Sequence, residues 1–149
     1  MKWVLKKYDE LTVDEFHDIL KLRIDIFVVE QTCPYPELDG KDKKAWHFYG
    51  IKNEKIIANT RIFKPGDYYN EASLGRVIVD ESYRRTGLGY ELVNRTLEQM
   101  RRLFGDVPVK IGAQTYLKKF YGSFGFQAQG DEYIEDGIPH VHMTLKGLK

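Results

Sequence analysis

Two arginines and two glycines stand where an apolar run gives way to a helical pattern, in the stretch Val77–Tyr90, VIVDESYRRTGLGY, followed at once by ELVNRTLEQMRRLF. Glycine at 87 and 89 removes the Cβ atoms that would hold a ligand off the backbone. A helix that begins here also presents free N–H groups and the positive end of its dipole. Arg84 and Arg85 add charge-assisted donors. The combination suits an anion, and a pyrophosphate would fit it. A plainer reading stays open, in which the glycines only form a turn and the arginines a solvated edge. Other glycine-rich loops fit less well. A dinucleotide fingerprint would need a third glycine where Leu92 stands, and a P-loop would need Gly-Lys-Ser/Thr, which is absent.

The elements that must position this loop can be read from periodicity. Residues 2–8 suggest an opening strand. Thr12 followed by Glu15 has capping-box spacing for a helix running to about Glu30, with Val13, Phe16, Ile19, Leu20 and Phe27 on its apolar face. Residues 45–51 and 55–63 around Asn53-Glu54-Lys55 suggest a hairpin, and 73–79 a third strand beside it, so an antiparallel meander is expected. Over 88–104, Leu88, Leu92, Val93, Leu97, Met100 and Phe104 recur at helical spacing, with Glu91/Arg95 and Glu98/Arg102 as outward pairs. A strand over 107–113, a short helix over 114–125 and strands over 126–130 and 139–146 complete the pattern. This order implies a mixed α/β sheet, mostly antiparallel and flanked by helices, with no domain boundary between residues 1 and 149.

Composition bounds the function. A hydrophobic fraction of 42% and a charged fraction of 30% are those of a globular domain. A net charge of +1 argues against a nucleic-acid surface, and no apolar run is long enough for a membrane span. The single cysteine, Cys33, excludes an internal disulfide, and the N-terminal MKWVLKKYDE lacks a secretory apolar stretch, so a cytoplasmic location is expected. His140 and His142 alone are too few for zinc, and no metal is expected. Cys33 has no suitably spaced partner for nucleophilic work and is given no role. Glu37/Asp39 and Asp131/Glu132/Glu135/Asp136 could draw a cationic amine, but acidic groups in loops and hairpin tips are usually solvated.

Read with its flanking strand and helix, VIVDESYRRTGLGYELV resembles the acetyl-coenzyme A signature of the GNAT N-acetyltransferase superfamily, with Arg84-x-x-Gly87-x-Gly89 on the R/Q-x-x-G-x-G/A pattern. Downstream, QTYLKKFYGSFGF is similar to the second signature of that family, through Gln114, Tyr121, Gly125 and Phe126. FVVEQTCPYPELDGKD (27–42) and EDGIPHVHM (135–143) resemble the ElaA-like branch. Gln114 stands where many relatives have Asn, and Leu117 where many have Ala.

The resemblance implies direct acetyl transfer from acetyl-CoA, as co-substrate, to a primary amine of a small molecule or peptide, with no covalent enzyme intermediate. It implies that Val77, Ile78 and Val79 pair with pantetheine and supply an oxyanion donor, and that Arg84, Arg85, Thr86, Gly87, Leu88, Gly89 and Tyr90 cradle the pyrophosphate, with Gln114 as a further coenzyme contact. Tyr121 matches the tyrosine that protonates the leaving thiolate. Glu30, His47 and His140, which lie in or beside the segments resembling the ElaA-like branch, are the candidate bases. A coenzyme-binding module without turnover is the alternative, a nucleic-acid binder a distant third, and a homodimer is left open.

Overall fold

The protein is described from a computed structural model covering residues 1–148. Strands β1 (Lys2–Lys7), β2 (Trp46–Lys52), β3 (Lys55–Phe63) and β4 (Ser73–Val79) form an antiparallel meander in that order. Asn53 and Glu54 close β2 onto β3 with φ of 51° and 63°, the pair of left-handed residues that a two-residue hairpin needs to match strand twist. Between β1 and β2, helix α1 (Val13–Ile24) starts at the expected capping box. Glu15 N–H donates to Thr12 Oγ1 at 3.0 Å, and Thr12 N–H to Glu15 Oε1 at 2.8 Å. The chain stays helical to Glu30, but Asp25–Glu30 forms a π turn, with Gln31 N–H bonded to Ile26 O at 3.0 Å. The expected apolar face needs one correction. Val13 is 87% exposed, and the face begins at Phe16, which packs edge-on against Tyr8 and His47 before Ile19, Leu22 and Ile26 enter the core.

Helix α2 (Leu88–Phe104) crosses the opposite face of the meander and buries Leu88, Leu92, Val93 and Met100. Its Thr96 hydroxyl lies 3.0 Å from that of Thr60 on β3. The outward pairs Glu91–Arg95 and Glu98–Arg102 form at 2.7 Å each. Strands β5 (Val109–Gln114), β6 (Gln127–Glu135) and β7 (Ile138–Leu145) make a second antiparallel sheet in the order β5-β7-β6. Here three expected boundaries move. Gln114 ends β5 instead of starting a helix, the helix shrinks to α3 (Lys118–Gly122), and the final strands extend toward each other. Asp136 and Gly137, with φ of 51° and 77°, close them as a tight hairpin.

The sheets touch at one corner. Ala72 bridges Val109 in parallel, with Ala72 N–H donating to Pro108 O at 3.2 Å and Lys110 N–H to Ala72 O at 2.9 Å. Beyond that clamp β4 and β5 share no ladder, so the strands diverge and leave a wedge between the sheets. No helix among the described residues is long and apolar enough to cross a membrane.

Candidate active site

A cleft of about 440 Å³ fills the wedge, lined by β4, β5, the π turn, the β6–β7 hairpin and α3. On β4, register dictates which main-chain groups reach it. Ile78 pairs with Asn59 and Val79 with Ala58, while Asp80 N–H donates to Ile57 O at 2.7 Å. Hydrogen-bonded and non-bonded pairs alternate in an antiparallel ladder, so Ile78 exchanges bonds with Asn59 and the main chain of Val79 faces away from β3. One residue earlier the ladder breaks. Arg76 and Val77 together face Thr60, and Arg76 takes φ of +50°, a bulge that periodicity could not reveal. Main-chain groups of Val77 and Val79 are thus turned from the ladder, whereas those of Ile78 are spent on it.

The glycine loop leaves β4 through a short turn capped by Asp80, whose Oδ1 accepts from Ser82 N–H at 2.9 Å. Gly87 has φ of +84° and precedes the first helical residue. The first bond of α2 runs from Glu91 N–H to Gly87 O at 3.0 Å, and no side chain caps the helix, so the N–H groups of residues 87–90 lack intrahelical acceptors. A Cβ at Gly89 would meet only Val79, at 3.9 Å, which keeps the helix start open to a ligand. Arg84 behaves otherwise than its motif suggests. Its Nε donates to Val79 O at 3.1 Å, and Nη1 and Nη2 grip Glu30 at 2.7 and 3.0 Å. Both groups are therefore already engaged, Glu30 as a carboxylate with both oxygens held and Arg84 as a cation already paired.

On the second sheet Gln114 lies opposite His140 and both line the cleft, as does Tyr121 of α3, only 7% exposed. Burial pushes the Tyr121 phenol pKa up, so it stays protonated through the neutral range. His140 Nδ1 sits 2.7 Å from Ile138 O; a carbonyl only accepts, so Nδ1 is the donor there, and Nε2 lies 3.6 Å from Glu135 Oε2. Tyr133 stacks on His140 and His142 at 5.7 and 4.6 Å, and the Tyr133 and Tyr69 hydroxyls converge over Gly112, where a Cβ would lie 2.7 and 3.2 Å from them.

Two expectations fail on burial. His47 is fully enclosed, with Nε2 at 3.0 Å from Asp42 O and its pKa lowered by burial, and it does not line the cleft, so it is removed as a candidate base. Nor are Glu37 and Asp39 solvated. Arg23 donates to Glu37 at 2.7 Å and to Asp42 at 2.8 Å, Arg61 to Asp39 at 2.7 Å and to Asp42 at 3.2 Å, and Arg76 to Glu37 at 2.7 Å. Three arginines and three carboxylates interlock beneath the π turn. Only an arginine at a helical position expected to be apolar, Arg23, could have signalled them. Cys33 Sγ reaches Asp136 O at 3.4 Å across the mouth of the cleft. Among the described residues no group of three His, Cys, Asp or Glu side chains is arranged to hold a metal.

A wedge between antiparallel sheets, a bulged β4 and an uncapped helix start beside it define a coenzyme-dependent acyltransferase architecture, and the chain belongs to the GNAT acetyltransferase family, whose domain model matches residues 35–147. It is 41% identical to the ElaA protein of Escherichia coli over 100% of this chain and 99% of that one. The crystal structure of ElaA superposes with a TM-score of 0.89 over 96% of this chain and 97% of that one. An acyl-CoA N-acyltransferase from Pseudomonas aeruginosa, 37% identical, superposes with a TM-score of 0.92 over 97% and 99%. The fold alone is shared with an aminoglycoside 6'-N-acetyltransferase complexed with coenzyme A, at 11% identity and a TM-score of 0.71 over 98% and 97%.

Proposed function

We infer that this enzyme transfers an acetyl group from acetyl-CoA directly to a primary amine of a small molecule or peptide. The observation that carries the reading is the open edge of β4 running into four unpartnered N–H groups at the start of α2, a strip of donors that suits an amide-bearing arm ending in a pyrophosphate. The coenzyme A complex of the distantly related aminoglycoside acetyltransferase supports it. In this reading Val77 and Val79 pair with the pantetheine amides, residues 85–90 cradle the pyrophosphate, and Gln114 closes the arm from β5. A main-chain N–H in the bulge meets the developing oxyanion, a kind of contact that lowers a barrier by about 3 kcal/mol.

Tyr121 is the proton donor to the departing thiolate, held protonated by its buried setting. Deprotonating an amine of pKa about 10.4 at pH 7 costs about 4.6 kcal/mol, so a base is needed. His140 fits that task better than Glu30, because it lines the cleft and its Nε2 has no partner closer than Glu135 at 3.6 Å, while both Glu30 oxygens are held by Arg84. Thiol release from acetyl-CoA should rise when amines from a panel of polyamines, amino acids, aminoglycosides and peptides are added. With the best amine, Tyr121→Phe should lower kcat about 100-fold without weakening coenzyme binding, and His140→Ala should abolish the alkaline-rising limb of the pH–rate profile. Binding of acetyl-CoA with no turnover of any amine would point instead to a non-catalytic coenzyme-binding module.

A further inference from the structure

The first arginine of the loop is the one residue whose motif and geometry disagree. Arg84 spends Nε on the carbonyl that ends β4 and both terminal nitrogens on Glu30, 54 residues away in sequence. Glu30 is the last residue of the π turn, which lines the cleft. One guanidinium thus joins three segments: the π turn, the end of the splayed strand and the glycine loop. Arg85, its neighbour, has no carboxylate partner among the described residues and adopts φ of +64°, turning the chain between the latch and the helix start.

We propose that Arg84 and Glu30 are positioning residues, a latch that holds the glycine loop and the β4 terminus against the π turn so that the N–H groups of residues 87–90 are set for the coenzyme, and that Arg84 does not itself ligate phosphate. The proposal rests on the acetyl-CoA reading above for its binding consequence. Its mechanism is geometric. Both partners are more than a third exposed, at 37% each, so the pair adds little to global stability. What it does is fix the loop that Gly87 leaves free to turn.

The two roles for Arg84 predict opposite signs. If Arg84 bound phosphate, Glu30→Gln would free a guanidinium, and acetyl-CoA would bind as tightly as before or more tightly. If Arg84 is a latch, Glu30→Gln loosens the loop and binding weakens about fivefold, Arg84→Gln weakens it at least as much because it also loses the bond to Val79 O, and the double variant is no worse than Arg84→Gln alone. Reversing the pair, with Glu30→Arg and Arg84→Glu together, should recover most of the affinity lost in either reversal alone. A phosphate ligand at 84 would make that double variant the weakest of all.

Calorimetry of acetyl-CoA with the full chain and these variants reads the effect. Wild-type protein that fails to bind acetyl-CoA overturns the proposed function and leaves the latch to a second measurement. Hydrogen exchange of the 84–90 amides in unliganded protein should quicken in Glu30→Gln and at least as much in Arg84→Gln, which also loses the bond to Val79 O, with Tm within a few degrees of wild type. Unchanged exchange, additive affinity losses, or tighter binding by Glu30→Gln would each overturn the latch.

Discussion

On one side of the cleft three guanidinium groups and three carboxylates interlock largely out of water, whereas on the other side rings stack over the glycine of a strand. Arg23, Arg61 and Arg76 with Glu37, Asp39 and Asp42 fasten the 32–44 segment to α1 and to the first sheet. Opposite them Tyr69, Tyr133, His140 and His142 pack on one another above Gly112, with no comparable ion pair beyond the 3.6 Å approach of Glu135 to His140. The charged wall acts as a unit, because removing one member leaves its largely buried neighbours with unbalanced charge. Stacked rings can shift individually at small cost. The cleft thus has a rigid wall beside the β4 bulge and an adaptable one beside the hairpin.

The sharpest break in that contrast comes from Arg23→Met. With Arg23 fully buried, its loss leaves Glu37 to Arg76 alone and Asp42 to Arg61 alone, two buried carboxylates each short of a cation, and unfolding in denaturant should show a destabilisation of about 3 kcal/mol. A loss below about 1 kcal/mol would mean that the network relaxes around a missing cation. Acid should expose the same wall next. Burial pushes the Asp39 and Asp42 carboxyls up, but hydrogen bonds and charge from Arg61 and Arg23 outweigh it and hold both below the usual range. Their folded pKa is depressed, so the stabilisation is complete above the unfolded value of about 3.9 and drains away as pH falls below it. Asp39→Asn should flatten the slope of stability against pH below about 4, and an unchanged slope would place the acid sensitivity elsewhere.

The stacked wall should respond more mildly. Gly112→Ala sets a Cβ 2.7 Å from the Tyr133 hydroxyl and 3.2 Å from that of Tyr69; both are far ends of side chains, so the cost in stability should be about 1 kcal/mol while KM for the amine rises. Loss of about 3 kcal/mol or more would show that this wall is as rigid as its partner. Smallest of all, Tyr133→Phe keeps both stacks and should alter stability by less than about 0.5 kcal/mol, with any effect confined to acceptor KM.

Much of the frame was determined by sequence alone, for a physical reason that α2 makes plain. Its apolar repeat, its outward Glu–Arg pairs and the glycines before it act within a few residues of one another, and so do the Thr12–Glu15 cap and the Asn53-Glu54 turn. Interactions of that range leave their spacing in the chain, and the coenzyme loop was legible with them. The Asp136-Gly137 hairpin is equally local, yet the acidic run before it reads as a solvated tip, so the pattern predicts shorter strands than the fold contains. What tertiary structure decided are the pairings across long stretches of chain. Glu30 meets Arg84 over 54 positions, Arg23 meets Asp42 over 19, and Cys33 meets Asp136 over 103. No periodicity carries such partners, because each depends on how sheets and helices stack, so nothing in the sequence signals that Glu30, a candidate base, and Arg84, a candidate phosphate contact, pair with each other. The wedge itself belongs to the same class. Strand patterns show that β4 and β5 exist, but only the Ala72–Val109 clamp and the divergence beyond it turn two edges into a site.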